Sequence, residues 1–396
     1  MRRVSPPLTT IAREWGRIGC VGFGGPPAHI ALLRELCVER RGWIAAADFE
    51  DAIAAVNLLP GPASTQLAVW CGHRLRGRAG ALVAGLCFIV PGLVAILVLA
   101  AAFLADDPPR WLRGAGAGAG AAVAAVAVRA GLDLIAPSWA RATAANPGTA
   151  RGRAPLIAYI LTGAAAAATL GPFLVLILLA CGLVSLALAA GPGRPGRRRG
   201  GTPLPSLSPA AALMLAATTG GLGALCWTAL KVGALSYGGG FVIIPLMHAD
   251  AVETHHWMTD SQFLNAVALG QVTPGPVVHT VAVVGYAVAG VGGGLLAALV
   301  AFSPSFLFVL GGAARFDALL RDPRARAFID GAAPAALGAI LGSAIPLAGA
   351  LQEDWQVALL AAAAVALLAL RVGVVTTLLG AGLAGTLLAL AGAPLP

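Results

Sequence analysis

The residues with chemistry to offer gather beside four Gly/Pro breaks. Next to Gly22-Phe23-Gly24-Gly25-Pro26-Pro27 and Leu59-Pro60-Gly61-Pro62 stand Arg17, His29, Asn57, Ser64, Thr65 and Gln66. Next to Tyr237-Gly238-Gly239-Gly240 and Thr273-Pro274-Gly275-Pro276 stand Lys231, Ser236, Tyr237, Gln271, Thr273, His279 and Thr280. The set is rich in donors, neutral to positive, and almost without carboxylates. Cation and proton pathways through apolar segments rely on Asp or Glu. Helix N-termini, by contrast, present free N–H groups and a positive dipole end to an anion. The expected chemistry is reversible binding of a small oxyanion. The backbone at Gly24, Gly25, Gly61, Gly238, Gly239 and Gly275, with Pro60, Pro62, Pro274 and Pro276, would shape the site. Each side chain also has a structural reading. Ser64, Thr65 and Thr280 can back-bond their own half-helices, Arg17 and Lys231 can snorkel to an interface, and His29 and His279 can be hydrogen-bonded structural residues.

The elements that hold these residues must be apolar helices. Gly and Pro inside such helices free backbone groups, and in lipid those groups survive only facing protein or a wet cavity. Paired breaks at corresponding positions point to a transporter's substrate site. Composition agrees: 58% of the 396 residues are hydrophobic and 11% charged, with a mean hydropathy of +0.85. Apolar runs of spanning length recur from end to end, as in a polytopic membrane protein. The start of the chain lacks the apolar stretch of a cleaved signal peptide. The formal charge of +9, in which Lys231 is the single lysine, fits basic cytoplasmic loops better than nucleic-acid binding. Six scattered cysteines suggest small buried hydrophobes rather than a disulfide framework or metal site.

In chain order, residues 8–22 and 28–37 form one broken element. The loops at Glu39–Arg41 and Arg74–Arg78 are both basic, which places both on the cytoplasmic side. The segment between them therefore suggests a re-entrant hairpin turning at Pro60-Gly61-Pro62, with a Pro-kinked spanning helix as the alternative. Residues 79–104 and 112–136 should cross, the latter through a small-residue tract, Gly114 to Gly120, suited to close packing. Residues 155–169 and 171–190 form an apolar pair. These observations divide the chain into a repeat over 1–190, a basic cytoplasmic linker over 191–209 and a second repeat over 210–396.

Sliding the chain by 214 residues aligns Arg17 with Lys231, Phe23 with Tyr237, Glu39 with Glu253, Trp43 with Trp257 and Phe49 with Phe263. The same slide aligns Pro60-Gly61-Pro62 with Pro274-Gly275-Pro276, and Phe88 with Phe302. Basic loops in one half face non-basic loops in the other, which predicts inverted-topology halves. The fold class expected is an all-α polytopic membrane protein of two such halves with broken re-entrant helices. Parity leaves 9 to 11 crossings, depending on whether the first element spans.

The motifs Phe23-Gly24-Gly25-Pro26-Pro27-Ala28-His29-Ile30, Asn57 to Thr65, Tyr237 to Val242 and Gly270 to Pro276 resemble the chromate ion transporter family in its two-domain form. The resemblance implies a bacterial inner-membrane carrier exporting chromate, with sulfate as a similar oxyanion, and inverted homologous halves. Two positions depart from the family pattern. Ala63-Ser64-Thr65-Gln66 stands where Asn-Ser-Thr-Glu is usual, and His279 where a small hydroxyl residue is common, so the titratable group moves to the other half. No cofactor, metal or nucleic acid is implied; the partners are the oxyanion and lipid, with pairing of two copies open. Competing readings are uptake or exchange of sulfate, an anion channel, and a membrane-embedded phosphatase, which would need a nucleophile or carboxylate cluster at the breaks.

Overall fold

The computed structural model describes residues 6–58, 61–145, 153–170, 173–190, 221–236 and 243–396. All regular structure among these residues is helical. The linker expected over 191–209 lies outside them. The first half runs α1 (Leu8–Val21), α2 (Pro26–Arg34), a π-helical turn (Glu35–Arg40), α3 (Ala46–Leu58), α4 (Ala63–Phe103), α5 (Arg110–Ala121), α6 (Val123–Ala145), α7 (Arg153–Thr169) and α8 (Leu174–Ala190). The second runs α9 (Gly221–Leu235), α10 (Ile243–His248), a π-helical turn (Ala249–Thr254), α11 (Asp260–Val272), a 3-10 turn (Val277–His279), α12 (Thr280–Arg321), α13 (Pro323–Gly349), α14 (Asp354–Ala364), a π-helical turn (Val365–Ala369) and α15 (Val374–Leu390).

Four runs among the described residues, Ala63–Phe103, Arg110–Ala140, Val277–Gly311 and Pro323–Gly349, are long and apolar enough to cross a membrane. Two of them are hairpins. In α4 the backbone leaves helical geometry at Arg76 and Gly77, where Gly77 takes φ +59°. A Cβ on Gly72 would stand 2.5 Å from the Ala84 Cβ, although twelve residues of straight helix would separate them by about 18 Å. The chain therefore reverses here, and the same happens in α12 at Ala289 and Gly290. The arm before the first reversal is about 20 Å long, as is α3, too short for a hydrocarbon core of about 30 Å. Half-length helices thus flank each Pro-Gly-Pro tip, as a re-entrant hairpin requires. The stretch Arg74–Arg78, expected as a loop, is the tight reversal itself. On the longer second arm of α4, Leu82, Leu86, Val90, Val94 and Val98 are exposed; this four-residue spacing makes one apolar stripe, suited to lipid.

Both halves repeat the same local geometry. The π-helical turns Glu35–Arg40 and Ala249–Thr254 are 214 apart. Beyond the tips, however, the register shortens to 213, since Gly77 corresponds to Gly290 and Pro91 to Pro304. Gly19 on α1 packs on the Phe88 carbonyl and Gly233 on α9 packs on the Ala301 carbonyl. The structural counterpart of Phe88 is therefore Ala301, not Phe302; the second half has one residue fewer between its tip and its reversal.

The halves are interlocked. Helices α7 and α8 pack on α13, while α15 packs on α5. Gly118 of the small-residue tract approaches Gly385 Cα within 2.9 Å of where its Cβ would be, so the expected close packing is made, across halves. Small residues at such contacts let helix backbones approach. The central core draws on both halves, with Trp15, Phe49, Phe88 and Phe263 fully buried in it. Of the cysteines, Cys37, Cys71 and Cys181 are buried but Cys20 is exposed, which corrects the expectation that all are buried.

Candidate functional site

Among the described residues, the helix breaks meet the opposite half. At the end of α1 the Gly22 carbonyl accepts a hydrogen bond from the Gly275 amide at 2.9 Å. His29 Nε2 lies 2.9 Å from the same carbonyl, which selects the tautomer that donates from Nε2. The Pro274-Gly275-Pro276 tip also lies against α4: a Cβ on Gly92 would meet the Pro274 carbonyl and stand 2.8 Å from His279 Cε1. Gly275 faces the same ring, with 2.9 Å from its Cβ position to His279 Cε1. Gly25 lies beside Val277, 3.8 Å from its Cβ position to the methyl. Two phenylalanines hold the imidazoles edge-on, Phe88 against His29 at 5.0 Å and Phe302 against His279 at 5.2 Å between centroids.

The other tip makes the related junction. Gly61 lies against the Gln66 amide, and 3.5 Å separates its Cβ position from the Gly233 carbonyl of α9. In the 213 register Gln66 is the counterpart of His279, and Gly92 of Ser305. Ser236, just past α9, matches Gly22 in the 214 register.

Polar groups at these junctions are buried without hydrogen bonds. Among the described residues, His29 Nδ1, Thr65 Oγ1, Ser236 Oγ, Gln271 Nε2 and Ser305 Oγ make none, while the His279 ring meets the Ile89 backbone and keeps a nitrogen unpaired. Leaving such groups unpaired costs about 1–3 kcal/mol each, so a cluster of them calls for a ligand or water. Helix N-termini point the same way: α2 begins after Gly25, α4 after Pro62 and the Val277–His279 turn after Pro276, none with a side-chain cap. Their free N–H groups favour negative charge. Ser64 is buried at the start of α4. Thr273 and Thr280 instead donate to the Leu269 and Val277 carbonyls, each at 2.8 Å, the structural role open to Thr280 from the start. The side chain of Asn57, and Pro60, Tyr237, Gly238 and Gly239 as wholes, lie outside the described residues.

Arg17 and Lys231 meet carboxylates that the sequence did not single out. Glu14, buried on α1, is 3.6 Å from Arg17, 3.3 Å from Arg40 and 2.9 Å from Arg41. Asp250, buried in the second π-helical turn, lies 2.5 Å from Lys231 and accepts a hydrogen bond from Thr228 at 2.6 Å. Thr228 is the 214 counterpart of Glu14, so the two halves place the carboxylate on different elements. The i,i+3 spacing of Glu14 and Arg17 was a usable signal; nothing local linked Asp250 to Lys231.

Broken half-length helices that meet inside an apolar helical protein, with unpartnered donors at their tips, define a multi-pass membrane transport protein. The comparison with known sequences narrows this. The profile of the chromate transporter family matches residues 9–186 and 223–386, and the chain belongs to that family. A chromate transport protein of Cupriavidus metallidurans is 33% identical over 89% of this chain and 85% of its own length. A chromate transport protein of Pseudomonas aeruginosa is 31% identical over 97% and 94%, respectively. An uncharacterized transporter of Methanocaldococcus jannaschii is 26% identical over 90% and 88%. No solved structure matches the chain.

Proposed function

We propose that this chain is a secondary carrier that exports chromate, a tetrahedral divalent oxyanion, across the bacterial inner membrane. One observation carries the reading: the junctions gather buried, unpartnered donors on Thr65, Ser236, Gln271 and Ser305 and uncapped helix N-termini, while the buried carboxylates among the described residues, Glu14 and Asp250, are held by cations. Donors without free carboxylates suit an oxyanion and repel no negative charge. The anion would sit among His29, Thr65, Gln66, Gln271 and His279, with the backbone of Gly24, Gly25, Gly61 and Gly275 around it. Twice-repeated tips and reversals, with basic loops in one half corresponding to non-basic loops in the other, support inverted halves. Leaving an inside-negative cell, an anion gains about 2.3 kcal/mol per charge per 100 mV. Sulfate shares the charge and shape, so exchange of sulfate is the second reading. Uptake of labelled chromate into everted vesicles, with sulfate as competitor and the potential and pH gradient collapsed separately, tests both. Accumulation that collapses with the potential is expected. The absence of chromate accumulation beside sulfate uptake would move the substrate to sulfate.

A further inference from the structure

The junction at Gly22 and Gly275 differs chemically from its partner in one respect: it contains two imidazoles. Its counterpart uses the neutral Gln66 in place of His279, and Ile243 in place of His29. Both histidines are fully buried. They bracket one hydrogen bond, with His29 on the Gly22 carbonyl and His279 against Gly275, whose amide donates to that carbonyl. His29 Nδ1 makes no hydrogen bond among the described residues, and the His279 ring, with the Ile89 backbone as its neighbour, keeps a nitrogen unpaired. If the rings only filled space, the neutral residues of the other junction would serve.

We propose that His29 and His279 form a proton site that fills together with the anion, one proton per divalent oxyanion. The inference rests on the oxyanion reading and adds its coupling. The elements around the pair bring it no competing charge: α1 contributes the Gly22 carbonyl, α4 the Phe88 ring and Gly92, α12 the Phe302 ring, and the tip Gly275. The titratable group that His279 faces is His29. Of the charged side chains on α1, α2 and α4, Arg13 and Arg17 pair with Glu14, Arg34 with Glu39 and Glu50, and Arg74 with Asp48, while Arg76 and Arg78 are exposed at the reversal. A buried imidazolium without a counter-charge is costly, so the empty pair stays neutral. A dianion beside it supplies the counter-charge, and a proton from water then binds an imidazole lone pair. Repulsion between like charges keeps a second proton out. The loaded carrier moves one net negative charge instead of two, still outward in an inside-negative cell.

The test measures protons taken up per anion bound by the purified full-length protein, using a pH indicator in weak buffer between about pH 6 and 8, the range in which histidine titrates. Chromate and sulfate are the probes; chromate takes up protons itself near neutral pH, so its signal is referenced to free chromate. One proton per bound anion is expected for the wild type, and almost none for the double variant His29→Gln/His279→Gln. His279→Gln alone installs the residue its counterpart position already uses, and should move proton uptake to lower pH. A wild type that binds anion without protons overturns the inference alone, as does an unchanged curve in His279→Gln or the double variant. Binding of neither anion overturns the oxyanion reading and this inference together.

Discussion

Gly92 has no side chain because the Pro274 carbonyl and the His279 ring occupy the place where one would begin. Gly92→Ala should therefore push the tip off α4, at a cost of about 1–3 kcal/mol for overpacking. Chromate accumulation in vesicles should fall together with the thermal midpoint in detergent; a variant with unchanged transport would remove this contact from the site. Lys231 gives a different expectation. Its side chain is 14% exposed and that of its partner Asp250 9%, so Lys231→Ala leaves a carboxylate buried with Thr228 beside it. Breaking a buried pair on one side costs about 3–5 kcal/mol. The variant should lose folded protein first, and Lys231→Ala/Asp250→Asn should recover much of it by the same thermal assay. Arg17 is half exposed and one of several arginines around Glu14, so Arg17→Ala should be milder. These partners were invisible in the sequence at Lys231, because a helix and a turn 19 residues away meet only after folding.

At the scale of elements, the breaks were legible because Gly and Pro act locally. A Pro-Gly-Pro tip fixes extended backbone at Pro62 and Pro276 and a left-handed residue at Gly61 and Gly275, whatever surrounds it. The reversals were legible as loops but not as single-glycine corners, since Arg74–Arg78 and its counterpart Ala289–Gly294 carry no proline and only the φ of one glycine marks the corner. Gly77 and Gly290 have φ +59° and +58°, with open space where a Cβ would go. With ψ −147° and −149° these corners take a conformation nearly reserved for glycine, so Gly77→Ala and Gly290→Ala should each cost about 1–3 kcal/mol, read as a fall in thermal midpoint with transport retained. A severe loss would show that the corners are packed after all. The gap-free slide placed Phe88 on Phe302, because Phe and Ala-rich neighbours align equally well one residue apart; the backbone contacts of Gly19 and Gly233 set the true register.

For the whole molecule, inverted halves predict that equivalent positions face opposite sides of the membrane. Cysteines at Ala46 and Asp260, in a cysteine-free background, should react with an impermeant reagent from opposite sides; labelling from one side would sink the inversion. The amino-acid sequence by itself determined that the chain is a helical, multi-pass protein, where its helices break, that it repeats, and which family it resembles. Those are properties of composition and of short motifs, and each acts within a turn or two of helix. Only the tertiary structure decided that Gly22 is completed by Gly275, that α15 packs on α5, and that Glu14 and Asp250 hold the cations. Such partners lie up to hundreds of residues apart, and the rotation of each helix about its axis chooses them. In an apolar chain nearly every helix face is hydrophobic, so periodicity cannot report that rotation, and close approach of glycine backbones does.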